Sequence, residues 1–242
     1  MRFRTRLHRT PPRSLSWIAV ALGTALAVAA CDGVIETDTE VLWSLALPWG
    51  EAMERYGASS EEWSAARAAV EVPDALVGEL EALPGQWRLL VVSEAWCADS
   101  REAVPWLDGL ATALPNVELR MVDSRLGRHL KDRYRTPDDR GATPTMVVLA
   151  EDGSEAGCWV ERPAEVQAWW LGGARELARS ERLAAKAEWW KQDRGYHLLN
   201  EIAGILRAAA AGTPICVPPY ETRDALPEPG WPLPSSPGGD AP

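Results

Sequence analysis

The chain has 242 residues, 46% of them hydrophobic and 25% charged, which is typical of a globular protein and argues against disorder along most of its length. Its net charge at pH 7 is −10, and once the five arginines of residues 1–30 are set aside, 20 basic residues face 35 acidic ones. Such an acidic surface repels phosphate groups, so the composition argues against nucleic-acid binding.

Residues 1–30 have the pattern of a secretory signal. An arginine-rich segment precedes an uncharged stretch at 15–30, which is short for a membrane-spanning helix and ends in small residues. The sequence Val-Ala-Ala-Cys at 28–31 resembles a lipobox, which implies a lipoprotein acylated at Cys31. The alternative is an ordinary signal peptide with Cys31 incidental. The lipoprotein interpretation predicts a protein of the cell envelope that is anchored to a membrane through Cys31 and faces the periplasm or the exterior.

Helical and strand patterns then alternate along the chain. Residues 31–85 are predicted to form a helical extension, with Ser60 capping one helix. A buried-strand pattern at 88–93 leads into a helix over 97–114. The order βαβαββα is completed by strands at 117–122, 145–149 and 155–160 and by helices at 126–134 and from 164 onwards.

The end of the chain changes character. Residues 176–211 are predicted to be helices that pack on the domain, whereas residues 212–242 hold 9 of the 19 prolines and are predicted to be an extended tail. The residues between the two helical regions, 86–175, are predicted to be the central domain.

Cys97 lies where the buried strand turns into the helix, and we predict that it is a reactive nucleophile. Unpaired amide N–H groups and the helix dipole favour a thiolate at this position. Arg101 supports that anion and Asp99 opposes it. The plain alternative is that Cys97 is a small buried apolar residue.

The residues around Cys97 resemble the thioredoxin superfamily. Trp96, Cys97 and Ser100 form a Trp-Cys-x-x-Ser motif, and Pro105 follows the cysteine by eight residues, where thioredoxins have a helix-kinking proline. The resemblance covers residues 86–175. It implies an α/β thioredoxin fold, a central mixed β-sheet flanked by helices, here with additional N- and C-terminal helices.

Two further motifs extend the resemblance. Thr143 and Pro144, followed by a β-branched strand, are similar to the cis-proline loop that faces the active-site cysteine in this superfamily. The motif Trp-x-x-Arg-Pro at 159–163, together with Trp-Cys-x-Asp-Ser, is similar to a poorly characterised bacterial thioredoxin-like family. Trp96, Asp99, Thr143 and Pro144 are predicted to contact the substrate. For Trp96, packing in the core is the alternative.

Two departures from the superfamily pattern affect the mechanism. Ser100 occupies the position of the resolving cysteine, so a mixed disulfide at Cys97 cannot be released from the neighbouring turn. Val91 stands where typical thioredoxins place a buried aspartate that serves that second thiol. Both departures argue against an efficient dithiol reductase.

Cys158 and Cys216 leave three alternatives open. They pair as a disulfide, one of them acts as a distant resolving thiol, or they are independent buried thiols.

The sequence predicts neither a metal nor a cofactor. The histidines at 8, 129 and 197 have no metal-ligand spacing, and a glycine-rich phosphate loop is absent from the sequence.

We therefore predict thiol-disulfide exchange through a mixed disulfide at Cys97, with Cys97 and Ser100 as the catalytic pair of positions. The predicted partners are a protein or low-molecular-weight disulfide and an external thiol reductant. Two alternatives are a non-catalytic peptide-binding module and an oxidant sensor that passes through a sulfenic acid at Cys97.

Overall fold

The computed structural model of the chain describes residues 39–217, and the predicted signal, Cys31 and residues 218–242 lie outside the described part. Within residues 39–217, helices surround a mixed sheet of five strands. The strands are β1 (Trp87–Val92), β2 (Val117–Val122), β3 (Thr145–Leu149), β4 (Glu155–Val160) and β5 (Ile215–Val217). The helices are α1 (Thr39–Leu45), α2 (Trp49–Tyr56), α3 (Ser60–Ala68), α4 (Asp74–Glu81), α5 (Ala98–Ala113), α6 (Arg128–Arg133), α7 (Ala164–Leu171), α8 (Arg179–Asp193) and α9 (Tyr196–Ala210). The predicted α/β fold class, with extra terminal helices, is confirmed.

The strand order across the sheet is β2-β1-β3-β4-β5. Strand β1 is parallel to β2 and antiparallel to β3, β3 and β4 form a hairpin, and β5 runs parallel to β4. Residues 89–92 of β1 are a continuous apolar run because both faces of the strand are covered: Leu89 and Val91 pack on one side, Leu90 and Val92 on the other. The strand that leads to Cys97 therefore ends deep inside the fold.

The N-terminal helices belong to the same core as the sheet. Trp63 of α3 and Leu80 of α4 are fully buried in the larger cluster, and Leu42 of α1 is buried in the smaller one on the opposite face. The prediction that Ser60 caps a helix is wrong, because Ser60 lies in the first turn of α3 and its N–H bonds to the carbonyl of Gly57. A 3₁₀ turn over Gly57–Ser59 runs directly into α3, and Ser59, the N-cap residue, makes no capping hydrogen bond with its side chain.

The C-terminal helices cover the sheet next to α5. Leu198, Ile202 and Ile205 of α9 are buried in the larger core cluster, together with Trp189 of α8. Residues 212–217 were predicted as the start of an extended tail, but Ile215–Val217 forms β5 and pairs with β4. A free backbone edge at β4 makes this addition favourable, because it satisfies polar groups of the chain.

Candidate functional site

Cys97 caps the N-terminus of α5. Its backbone is extended, with φ −80° and ψ 118°, and the N–H of Ser100 donates to the cysteine Sγ at 3.5 Å. The carbonyl of Cys97 accepts the first intrahelical bond, from Arg101 N at 3.0 Å. A sulfur in this position receives the amide dipoles of the first helical turn, which stabilise negative charge. The residue is 8% exposed.

The Thr143-Pro144 peptide is cis and lies opposite Cys97. The Cys97 thiol donates to the carbonyl oxygen of Thr143 at 3.2 Å, so the two predicted parts of the site meet. The following carbonyl, of Pro144, accepts from the N–H of Glu161 at 2.8 Å. The loop is therefore bonded to the nucleophile on one side and to the turn after β4 on the other.

The position of a resolving cysteine holds a buried serine. Ser100 is fully buried, and within residues 39–217 its hydroxyl oxygen finds no hydrogen-bond partner. Cys97 is the free cysteine of the described part, whereas Cys158 and Cys216 are joined in a disulfide. These two cysteines face each other in the register of β4 and β5. Neither sulfur is a free thiol in this structure.

Asp99, two residues after Cys97, lies inside a network of ion pairs. Arg162 donates Nε to Asp99 Oδ1 at 2.8 Å and a second nitrogen to Oδ2 at 2.9 Å, and Lys186 Nζ is 2.7 Å from Oδ1. Lys186 also lies 2.7 Å from Glu102. Burial pushes the pKa of Asp99 upward, but Arg162 and Lys186 outweigh burial and hold that pKa below its usual value. Asp99 is therefore a compensated anion, and both of its oxygens are already bonded.

Trp96 stands next to the nucleophile and is 77% exposed, so the alternative that it packs in the core is not what this structure shows. A large indole in contact with water beside a thiol is suited to cover an apolar part of a substrate. Its role as a substrate contact stays a prediction, as do those of Asp99, Thr143 and Pro144.

Two residues of the N-terminal helices contact the segment before Cys97, and the sequence did not identify either of them as part of the candidate site. Tyr56 of α2 donates its hydroxyl to Ser93 Oγ at 3.2 Å, and Trp63 of α3 donates its indole N–H to the carbonyl of Ala95 at 3.1 Å. Burial raises the pKa of Tyr56 above its usual value. These contacts fix the segment between β1 and Cys97. Their side chains lie in ordinary amphipathic helices, so spacing alone carries no signal for them.

The described residues contain no group of three or more histidine, cysteine or acidic side chains arranged to hold a metal ion. Across residues 39–217, the helices are all too short or too polar to cross a membrane.

A free cysteine at a helix N-terminus, facing a cis-proline loop at the end of a mixed sheet, defines a thioredoxin-like domain. The sequence model of a family described as thioredoxin matches residues 46–181, and the chain belongs to that family.

Solved structures with the same fold are similar to this chain. A protein of unknown function from Pseudomonas aeruginosa shares 26% sequence identity, with a TM-score of 0.54 over 69% of this chain and 96% of that one. An HIV epitope scaffold shares 22% identity, with a TM-score of 0.52 over 70% of this chain and 97% of that one. Among curated proteins there is no significant match.

Proposed function

We propose that this protein exchanges thiols and disulfides through the single cysteine Cys97. The observation that carries the proposal is the position of the Cys97 sulfur, which caps α5 and lies 3.2 Å from the Thr143 carbonyl in a thioredoxin-family domain. A helix N-terminus activates a thiol, and the backbone of the adjacent Thr143–Pro144 loop offers polar groups to which an extended peptide can bind. The substrate class is a protein or low-molecular-weight disulfide.

The exchange has two balanced steps. The Cys97 thiol loses its proton to solvent, and the thiolate attacks one sulfur of the substrate disulfide. The substrate S–S bond breaks, a mixed disulfide forms at Cys97, and the other substrate sulfur leaves as a thiolate. An external thiolate then attacks the mixed disulfide, forms a new disulfide with the bound substrate half, and releases Cys97 as a thiolate.

The second step needs an external thiol because, within residues 39–217, Cys97 is the free cysteine. Ser100 has a hydroxyl in place of a thiol, and a hydroxyl is not a nucleophile toward disulfides at neutral pH. Cys158 and Cys216 are bonded to each other. The thiolate that attacks the mixed disulfide therefore comes from a small thiol or from a separate reductant protein.

The test is a peptide linked by a disulfide to a chromogenic aromatic thiol. We expect the wild type to release about one equivalent of chromophore per chain without added thiol, and many equivalents when glutathione is present. Cys97→Ser, which keeps the Cys158–Cys216 disulfide, is the matched control. It should release no chromophore without added thiol, and with glutathione only the amount that glutathione releases without protein. Equal release by both proteins would contradict the proposal.

A peptide-binding module is the second candidate, favoured by the contrast in exposure between Cys97 and Trp96. Cys97 is 8% exposed and its thiol is bonded to Thr143, while Trp96 beside it is 77% exposed. In a binding module, Cys97→Ser would leave peptide affinity unchanged and neither protein would release the chromophore. Dimedone labelling of Cys97 after peroxide, without reaction with disulfides, would indicate an oxidant sensor.

We further propose that the protein works in the cell envelope, anchored by acylation of Cys31. Support comes from the arginine-rich and apolar segments before the Val-Ala-Ala-Cys sequence at 28–31. Radiolabelled palmitate should be incorporated by the wild type but not by Cys31→Ala, and only the wild type should fractionate with membranes. Membrane association of both without label would favour an ordinary signal peptide.

A further inference from the structure

Arg162 connects two parts of the site that are distant in sequence. Its guanidinium makes a bidentate pair with Asp99, in the first turn of the helix that Cys97 caps, at 2.8 and 2.9 Å. The Arg162 side chain is 5% exposed, so water competes little for these bonds. A bidentate arginine–carboxylate pair is directional as well as strong. It therefore restrains where the beginning of α5 lies relative to the turn after β4.

The same turn is bonded to the cis-proline loop. The N–H of Glu161 donates to the Pro144 carbonyl at 2.8 Å. The Glu161 carboxylate pairs with Arg162 at 2.9 Å and with Arg140, which precedes the loop, at 3.1 Å. Glu161 has a φ of 68°, a left-handed conformation that is uncommon for residues with a side chain and persists only where the surroundings impose it.

Other contacts hold Arg162 in a single orientation. Its guanidinium carbon lies 4.3 Å from the centre of the Trp170 ring, and it donates to Gln167 Oε1 at 3.0 Å. Behind the turn, Glu201 of α9 accepts hydrogen bonds from the Trp159 indole and from Ala164 N, each at 2.7 Å. A charged side chain whose rotamer is fixed by packing and by hydrogen bonds holds its partners with little freedom.

We propose that Arg162 is a positioning residue that sets the gap between the Cys97 thiol and the Thr143–Pro144 backbone. The inference rests on the proposed function, in which the substrate disulfide must fit between these two groups. A displacement of about 1 Å between a nucleophile and the surface that orients its substrate costs up to about 100-fold in rate. Arg162 acts through Asp99 on one side and through Glu161 on the other, and does not touch the substrate.

The kinetic test compares two reagents on Arg162→Met. We expect its rate with the chromogenic peptide disulfide to fall about tenfold or more, because that substrate must be oriented by the loop. The rate with iodoacetamide, which needs no such orientation, should change less than about threefold. Arg162→Lys keeps the charge but lacks the planar fork, so it should recover only part of the rate.

The matched control is Arg67→Met. Arg67 pairs with Asp108 of α5 at 2.5 Å, so this is also an ion pair between an arginine and an aspartate of α5. Asp108, however, lies 11 residues beyond Cys97. Its loss should leave both rates within about twofold of the wild type, since it removes a partly exposed pair away from the loop. If Arg162→Met slows iodoacetamide as much as the peptide disulfide, Arg162 acts on the thiol itself, and the positioning role is overturned. Unchanged peptide-disulfide rates in Arg162→Met overturn it equally.

A second readout does not depend on catalysis. Amide hydrogen exchange of peptides covering 142–149 should be about tenfold faster in Arg162→Met and unchanged in Arg67→Met, because the loop loses its link to α5. If the wild type does not react with disulfides at all, the proposed function fails. The rates of amide hydrogen exchange then still decide whether Arg162 holds the cis-proline loop. Equal rates of amide hydrogen exchange over residues 142–149 in Arg162→Met and Arg67→Met overturn the inference. Should Arg162→Met fail to fold, Arg162→Lys is used for both measurements.

Discussion

Ser100→Cys is expected to raise disulfide reductase activity from near background by about tenfold or more, because a thiol at this position attacks the mixed disulfide intramolecularly. The geometry is favourable. The Ser100 N–H donates to the Cys97 sulfur, and the serine side chain is fully buried with no partner for its hydroxyl among the described residues. Replacing that oxygen with sulfur therefore removes no hydrogen bond. Turnover of insulin with dithiothreitol or glutathione is the measurement.

Ser100→Ala is the control for this variant. It removes the unpartnered hydroxyl without adding a thiol, so its reductase activity should equal that of the wild type, and its stability should change little. The expectation is contradicted if Ser100→Cys forms a disulfide with Cys97 in the folded protein but reduces insulin no faster than the wild type. In that case the surface around Cys97 does not accept disulfide substrates, and the binding module becomes the leading candidate.

The gain in Ser100→Cys should be partial. Val91 is fully buried in β1, where the superfamily pattern has an aspartate that accepts a proton from the second thiol. Adding Val91→Asp to Ser100→Cys should increase turnover further, at a cost in stability from a buried carboxyl group. Val91→Asp alone should leave disulfide reductase activity at background, because with Ser100 in place there is no second thiol from which the aspartate could accept a proton.

Lys186→Met should lower the free energy of unfolding by about 3 kcal/mol at pH 7, because it leaves two buried or half-buried carboxylates without their shared cation. The Lys186 side chain is 2% exposed, and its ammonium lies 2.7 Å from both Asp99 and Glu102. Urea unfolding followed by tryptophan fluorescence is the measurement. Lys191→Met is the matched control on the same helix: its side chain is 78% exposed, so its effect should stay within about 0.5 kcal/mol.

The effect of Lys186→Met should depend on pH with a definite sign. Burial already raises the pKa of Glu102 above its usual value, and the loss of Lys186 removes the main positive charge that lowers this pKa. A carboxyl with a raised folded-state pKa is favoured in the folded protein at low pH, and this contribution is lost as the pH rises through that pKa. The deficit should therefore shrink between pH 7 and pH 5. A deficit that grows as the pH falls would contradict the assignment.

The nucleophile and its fold could be predicted from local patterns. The strand pattern at 88–93 holds the apolar run 89–92, and a helical pattern begins at Cys97, so the cysteine is predicted to lie at a strand-to-helix junction. Both faces of β1 are covered in the structure, which is why the run contains no polar alternation. The Thr143-Pro144 motif likewise lies before a short buried strand, so its place beside β1 follows from strand pairing.

The charge network could not be predicted in the same way. Arg162 and Lys186 are 63 and 87 residues away from Asp99 along the chain, and their partners are set by how α8 and the turn after β4 pack. The sequence predicts that Asp99 opposes the Cys97 thiolate, whereas in the structure the Asp99 charge is paired with Arg162 and Lys186. The motifs Trp-Cys-x-Asp-Ser and Trp-x-x-Arg-Pro are far apart in sequence, and the ion pair between Asp99 and Arg162 brings them into direct contact.

The beginning of the Pro-rich segment was misplaced for a related reason. Proline frequency describes residues 212–242 as a whole, but the three residues of β5 need only a free strand edge and a short apolar sequence. Composition averaged over a long window does not resolve a strand of this length. The disulfide between Cys158 and Cys216 depends on that pairing, so the sequence alone left its alternatives open.

In the proposed exchange, Cys97 forms a mixed disulfide that only an external thiol releases. The most direct measurement is the intact mass of the protein after incubation with an excess of a peptide disulfide and removal of that excess. We expect one peptide half on each chain, mapped to Cys97 by proteolysis, which persists until glutathione is added and then disappears. Absence of an adduct at Cys97, or release of the adduct without added thiol, would contradict the proposed exchange.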